Sequence, residues 1–299
     1  MKISRRAVLA AAAALPLRGA ATKVRLGGPI FLRSADPAEL AREHRRLGYS
    51  AAYCPETKLE DAARVERAYA AENVVIAEVG AWKNLLDPDD AKRKANLAYV
   101  TERCALADAV GARCCVDIAG SYNPDVWYGM NPKNLSKDFL DATVENCRRI
   151  LDAVKPKRTK FTIEMMPWSL PDGPEAYVEL IRAVARPAFA VHLDVCNVIN
   201  DPRRFYDSGS VIRDCFAKLG RWIASCHAKD LQWVPEYNVH FLEVVPGRGK
   251  VDYRAYLTEL SKLPTDAPLM LEHLKAPAEY DEGREYIKKV GAEVGVEFA

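Results

Sequence analysis

The chain reads as an α/β protein, a single (β/α)8 TIM barrel, on two observations. Short apolar segments alternate with longer amphipathic ones along its length, with no Pro/Ser-rich linker and no break in composition. Such alternation builds right-handed βαβ units around one parallel sheet. Four of the later apolar segments also end on a side chain able to bind a cation: Glu164, Asp194, His227 and Glu272. Their spacings of 30, 33 and 45 residues are close to one strand-plus-helix unit of an eight-unit barrel.

Taken in order, the chain opens with Ser4-Arg5-Arg6-Ala7-Val8-Leu9, an Ala/Leu run to Pro16, and Gly19-Ala20-Ala21. Twin arginines, a short weakly apolar segment and small residues resemble a twin-arginine export signal. The run is too short to span a bilayer. We therefore divide the chain into a signal over 1–21 and a catalytic barrel over 22–299. This predicts a folded protein exported to the periplasm, with no stable membrane insertion; if 1–21 is only a helical N-terminus, the protein is cytoplasmic.

A strand follows over 24–31, then a helix over 36–47 that Asp36 caps, with Pro37 at its first position and Gly48 closing it. Strands over 51–54, 74–79 and 114–118 are separated by helices over 59–71 and 87–109, the second ended by Gly111. Residues 121–138, rich in Asn, Pro, Gly and aromatics, read as a loop over the barrel mouth. A helix over 139–154 leads to the strand that delivers Glu164. Helices over 174–185, 211–219, 253–263 and 278–290 accompany the strands of Asp194, His227 and Glu272 and close the chain. The expectation is eight strands alternating with eight helices.

Composition bounds the function. With 43 basic and 41 acidic residues among 299, the formal charge is +2 and no Lys/Arg run marks a nucleic-acid or membrane surface. The eight cysteines form no CxxC pair and Cys114-Cys115 are adjacent, so they read as core thiols.

Functional groups of such barrels sit at the C-terminal ends of the strands, where all four donors lie. Three carboxylates and one imidazole suit Mn²⁺ or Mg²⁺, with Co²⁺ or Zn²⁺ as alternatives. Glu164 and Glu272 then bracket a bound hydroxy-ketone. One removes the proton α to the carbonyl, the other returns a proton, and the cation stabilises the enediolate. His192 shares the strand face of Asp194, one layer deeper, and either bonds a ligand or sits satisfied in the core. Asn197 and Lys229 are placed as substrate contacts, and Asp230 as a cap of the following loop. The Gly-flanked loop 243–252 puts Arg248 beside the site, unless it is an ordinary turn. Glu78, Trp82, Trp127, Tyr128 and Trp168 form a sugar-stacking wall, unless the aromatics pack singly into the core.

The order Glu164, Asp194, His227-Ala-Lys-Asp230, Pro246-Gly-Arg-Gly-Lys-Val-Asp252, Glu272 resembles the sugar phosphate isomerase/epimerase family of xylose isomerase-like TIM barrels, over residues 24–295. The resemblance implies a divalent metal, usually Mn²⁺, bound by Glu164, Asp194, His227 and Glu272, with the two glutamates as acid and base. It also implies a small sugar substrate and a homo-oligomer. One position departs: ketose 3-epimerases of the family carry Asp-x-x-His where this chain has Asp194-Val-Cys-Asn197. Exported members resemble proteins acting on 3-keto-glycosides, where the same proton abstraction leads to β-elimination of the aglycone. The expected function is thus a metal-dependent isomerase or epimerase of a keto-sugar or polyol derivative. The alternatives are a lyase or hydrolase of 3-keto-glycosides, and a sugar-binding barrel without chemistry. Endonuclease IV shares the architecture but gathers more histidines than the five here and needs a basic face.

Overall fold

A computed structural model describes residues 23–299. The export-signal reading over 1–21 lies outside the described residues. The first turns of the barrel are β1 (Leu26–Gly27), α1 (Pro37–Arg46), β2 (Ala51–Tyr53), α2 (Ala62–Ala71), β3 (Val75–Gly80), α3 (Asp90–Val110) and β4 (Cys114–Asp117). They continue through α4 (Lys137–Val154), β5 (Lys160–Glu164), α5 (Pro174–Val184) and β6 (Phe189–Leu193). After β6 come three helices, α6 (Val195–Val198), α7 (Pro202–Tyr206) and α8 (Ser208–Leu219), before β7 (Ile223–Ala228). A hairpin of β8 (Asp230–Trp233) and β9 (Phe241–Val244) precedes α9 (Tyr253–Leu260), β10 (Leu269–Leu271) and α10 (Pro277–Val294).

Eight strands close into a parallel barrel in the order β1-β10-β7-β6-β5-β4-β3-β2, and β8–β9 form a separate antiparallel pair. Helix boundaries follow local chemistry. Asp36 accepts from Ala38 N–H at the start of α1, with Pro37 first in the helix. Asp89 accepts from Ala91 and Lys92 N–H at α3, which ends at left-handed Gly111. Ser136 caps α4 through Phe139 N–H, and Asp252 caps α9 through Ala255 N–H.

The structure corrects several expected boundaries. The first strand pairs over only two residues, because Gly27-Gly28-Pro29 ends it: Pro29 has no N–H to give the ladder. The helix expected from 87 starts at Asp90, where Asp89 caps it. The helix expected from 211 starts at Ser208, capped by Asp207. The hairpin, α6 and α7 are additions to the eight-plus-eight plan.

The main core lies between strands and helices, built of buried residues such as Phe161, Ile163, Tyr177, Val191 and Leu269. Inside the barrel, Ala51, Ala77 and Met270 form a small apolar cluster. Nearer the mouth the interior turns polar, with Glu78, Thr162, His192, Ser225 and His227 all buried. Buried tyrosines tie strand ends to the helix layer. Tyr177 Oη donates to Ile163 O and Ala190 O on β5 and β6, and Tyr256 and Tyr253 Oη donate to His227 O and Lys229 O at the end of β7. The backbone carrying the functional side chains is therefore fixed from outside.

Candidate metal and active site

Parallel register sets the side chains at the barrel's C-terminal mouth. Glu164 is the last residue of β5, Asp194 follows β6, His227 is near the end of β7, and Glu272 follows β10. Asp194 also caps α6: its Oδ1 accepts from Cys196 N–H at 2.9 Å, which leaves Oδ2 turned to the site. The imidazole of His227 is the meeting point. Its Nδ1 stands 2.8 Å from Glu272 Oε1, 3.3 Å from Glu164 Oε1 and 3.7 Å from Asp194 Oδ2. One donor atom from each of the four lies within 4.8 Å of all the others.

Lys229 Nζ lies 2.8 Å from Asp194 Oδ2, 2.6 Å from Glu272 Oε1 and 3.6 Å from Glu243 Oε1. Although close in charge, Asp194 Oδ2 and Glu272 Oε1 are buried without a correctly directed hydrogen bond. Two orphaned anionic oxygens beside an imidazole nitrogen and a third carboxylate are a donor set that fits a hard divalent cation.

The electrostatics follow from this crowding. Burial opposes ionisation of the carboxylates, but His227 and Lys229 overcome it, holding Glu272 down at about 2 and Asp194 well below the usual range. Burial likewise pulls His227 down, yet the charges of Glu272, Glu78 and Glu164 raise it well above an ordinary imidazole. Lys229 is raised by Asp194 and Glu272 against its own burial. The site demands positive charge.

Beneath the four donors sits Glu78, 1% exposed. Its Oε1 accepts from Ser225 Oγ and lies 2.9 Å from His192 Nε2, and its Oε2 is 3.3 Å from His227 Nε2. The expectation that Glu78 belongs to a sugar-stacking wall is therefore corrected, because it faces the barrel interior. His192 is corrected in the same way: it is fully buried, packs edge-on against His227 with ring centroids 4.1 Å apart, and does not line the cavity. The two meet across the barrel interior, Glu78 from β3 and His192 from β6.

Arg248 is the third correction. Asp230 accepts from the N–H groups of Gly247, Gly249, Leu231 and Val251, so it caps the loop as expected. That draws the 247–251 backbone inward and sends the Arg248 guanidinium outward to Glu282 on α10, in a two-bond ion pair away from the cavity.

Above the donors opens a cavity of about 660 Å³. Asn197, Lys229 and Trp168 line it as expected, as do Trp82, Trp127 and Tyr128. The amide of Asn197 is committed on one side, donating to Glu164 Oε1 at 3.1 Å and Met165 O at 3.0 Å. The cavity wall also includes Tyr53, Tyr280, Glu243 and His273, which sequence reasoning did not single out. His273 Nδ1 is 2.8 Å from Glu243 Oε2. Adjacency to Glu272 was the available signal for His273. Glu243 gave none, because it reaches the mouth through the hairpin. Two clefts beside α1 and α2, one of which shares Pro29 and Tyr53 with this cavity, gather no such set of donors.

A parallel eight-stranded barrel with a cluster of cation donors at its C-terminal mouth defines a TIM-barrel protein with a candidate metal centre. The chain belongs to the xylose isomerase-like TIM barrel family, whose model matches residues 38–290. No curated protein matches the sequence. Solved structures that share the fold include the following three. A xylose isomerase-like TIM barrel protein from Mycobacterium smegmatis in complex with magnesium superposes with TM-score 0.65 at 16% identity, covering 91% of this chain and 97% of its own. D-psicose 3-epimerase with D-tagatose, from Clostridium cellulolyticum H10, gives 0.64 at 16% over 88% and 95%. The 3-keto-D-glucoside 4-epimerase of E. coli gives 0.63 at 12% over 89% and 100%. At these identities the likeness is one of fold.

Proposed function

We propose that the protein is a divalent-metal-dependent isomerase or epimerase of a keto-sugar or polyol derivative, working by proton abstraction α to a carbonyl. The observation that carries this is the convergence of Glu164, Asp194 and Glu272 on His227 Nδ1, with two buried oxygens left without hydrogen bonds. Those four residues would hold the cation, with Mn²⁺ preferred and Mg²⁺, Co²⁺ or Zn²⁺ as alternatives for this donor set. When bound, the cation polarises the substrate carbonyl and stabilises the charge that develops on its oxygen.

The remaining work falls to side chains. Glu164 and Glu272 come from β5 and β10, on opposite sides of His227, and both line the cavity. A substrate between them has a carboxylate on each face, one to take the α-proton and the other to return it. Asn197 steadies Glu164 through its amide. Lys229 adds a fixed positive charge toward the substrate oxygen. Structural neighbours of this chain include epimerases and a dehydratase, which supports a sugar-modifying enzyme.

A second reading is favoured by Asn197 and the cavity wall. Where ketose 3-epimerases carry an imidazole, this chain has an amide already bonded to Glu164, and the cavity wall carries several aromatic side chains able to face an aglycone. Abstraction from a 3-keto-glycoside followed by β-elimination of the aglycone uses the same glutamates. The twin-arginine segment at Arg5-Arg6 adds export to the proposal, which fractionation of expressing cells checks.

Proton NMR in D₂O tests the central claim. With Mn²⁺ and a panel of ketoses and 3-keto-glycosides, deuterium should enter beside the carbonyl, and EDTA should stop it. Glu164→Gln and Glu272→Gln should each slow exchange by about 10²–10⁴-fold. Turnover unchanged in both variants would sink the mechanism. Released aglycone would mark the lyase reading, and an epimer the first.

A further inference from the structure

Five non-glycine residues adopt a positive φ. Three close helices: Lys155 and Ala185 are the C-caps of α4 and α5, and Asn73 follows the C-cap of α2. A left-handed residue there is the ordinary way to end a helix. The other two have no such reason. Trp82 (φ 41°) and His273 (φ 59°) follow barrel strands β3 and β10, and both line the cavity. A side chain with a Cβ resists this conformation, and it persists only where the surroundings over-determine it.

The surroundings fix the backbone around Trp82 from both sides, and His273 is held by one side-chain contact. The buried carboxylate of Asp117, at the end of β4, accepts from Lys83 N–H at 2.9 Å and from Ile118 N–H at 2.9 Å. On the other side of Trp82, Ala81 N–H donates to Val116 O at 2.8 Å. The turn is thus tied to β4 before and after the tryptophan. A Cβ on Gly80 would collide with the indole Nε1, so glycine leaves the space in which the indole lies. His273 is held through its side chain, Nδ1 against Glu243 Oε2 at 2.8 Å, from the β8–β9 hairpin.

We propose that Trp82 and His273 are the specificity-determining pair of this cavity, a platform for a pyranose ring held in strained backbone by Asp117 and Glu243. The indole takes the C–H face of the sugar and the imidazole a ring hydroxyl. Asp117 and Glu243 are positioning residues that act through this pair. The inference rests on the cavity being the place where the keto-sugar reacts.

Strain supplies the test. Glycine accepts positive φ freely, so Trp82→Gly and His273→Gly remove the ring contact and relieve the backbone together. The probe is methyl β-D-glucopyranoside, which has no carbonyl and cannot be enolised. It is titrated by saturation-transfer NMR against the full chain loaded with Mn²⁺. In each glycine variant the Kd should rise about tenfold, the size of one aromatic contact for the indole and of one hydrogen bond for the imidazole, while Tm holds or increases. Asp117→Ala should match Trp82→Gly in binding. Asp117→Asn, which keeps the acceptor oxygen, should restore it. Absence of binding by the wild type, unchanged Kd in both glycine variants, or a Tm drop in both without loss of binding overturns the proposal. Intact binding of the probe with no deuterium exchange on any keto-sugar would defeat the functional reading and leave the platform standing.

Discussion

Glu78 touches no part of the cavity, yet it decides which nitrogen His227 offers. With its Oε2 near His227 Nε2, Glu78 favours a proton on that nitrogen, which leaves Nδ1 as the one that a cation among the three carboxylates would take. Ser225 and His192 hold the Glu78 carboxylate in turn. Carboxylates behind a ligating imidazole fix its tautomer and raise its basicity, and their loss weakens metal binding by about 10–100-fold. Glu78→Gln should therefore lower Mn²⁺ affinity by that factor in a competition titration with a chelating dye. Unchanged affinity would show that His227 needs no such partner. The four donors were legible in the sequence because each ends an apolar strand. Glu78 was picked out but given the wrong role, because its partners depend on barrel register, including a shift between Val191 and His192 that no single segment reveals.

Elements were legible where their own residues specify them. The strands of Glu164 and Asp194 are apolar runs buried along nearly all their length, and the helices carry caps such as Asp36, Ser136 and Asp252. The β8–β9 hairpin was hidden because its strands are partly exposed and a loop with Pro235 joins them, so neither alternation nor an apolar run announces it. That one omission also misplaced Arg248 and concealed Glu243. Helix α1 carries a pH dependence of its own. His44 is 3% exposed, close to the rings of Tyr49 and Tyr69, with Nδ1 2.8 Å from Leu40 O. Burial lowers its pKa below 6.5, so the folded state favours the neutral ring. The unfolded chain then binds the extra proton. Stability from this residue is present above the unfolded pKa and is lost as pH falls through it toward the folded value. The slope is at most about 1.4 kcal/mol per pH unit for one proton. Tm measured from pH 7 to 5 should fall less steeply in His44→Gln than in the wild type, and parallel curves would remove His44 from the account.

Across the whole molecule, the barrel concentrates its electrostatic cost in one place. The formal charge of the chain is only +2, but three carboxylates meet at the mouth with Lys229 as their neighbouring ammonium. A cation bound there is a ligand of the folded state, so it stabilises the fold by mass action, about 4 kcal/mol at a thousandfold excess over its Kd. Lys229 and the cation offset the same charges. Removing the ammonium should therefore harm the metal-free protein more than the metal-loaded one, because a buried carboxylate without a partner is costly. Lys229→Met should lower Tm in EDTA by several degrees, at roughly 2–4 °C per kcal/mol for a chain approaching this size. Excess Mn²⁺ should recover most of that loss, so that the metal-induced rise in Tm is larger in the variant than in the wild type. Asp194→Asn should do the reverse, since it removes one charge and a ligand together: a smaller fall in EDTA and little or no rise with Mn²⁺. Equal metal-induced shifts in all three proteins would mean that the cation binds elsewhere, and that the cluster at the mouth is an ion-pair network closed by Lys229 alone.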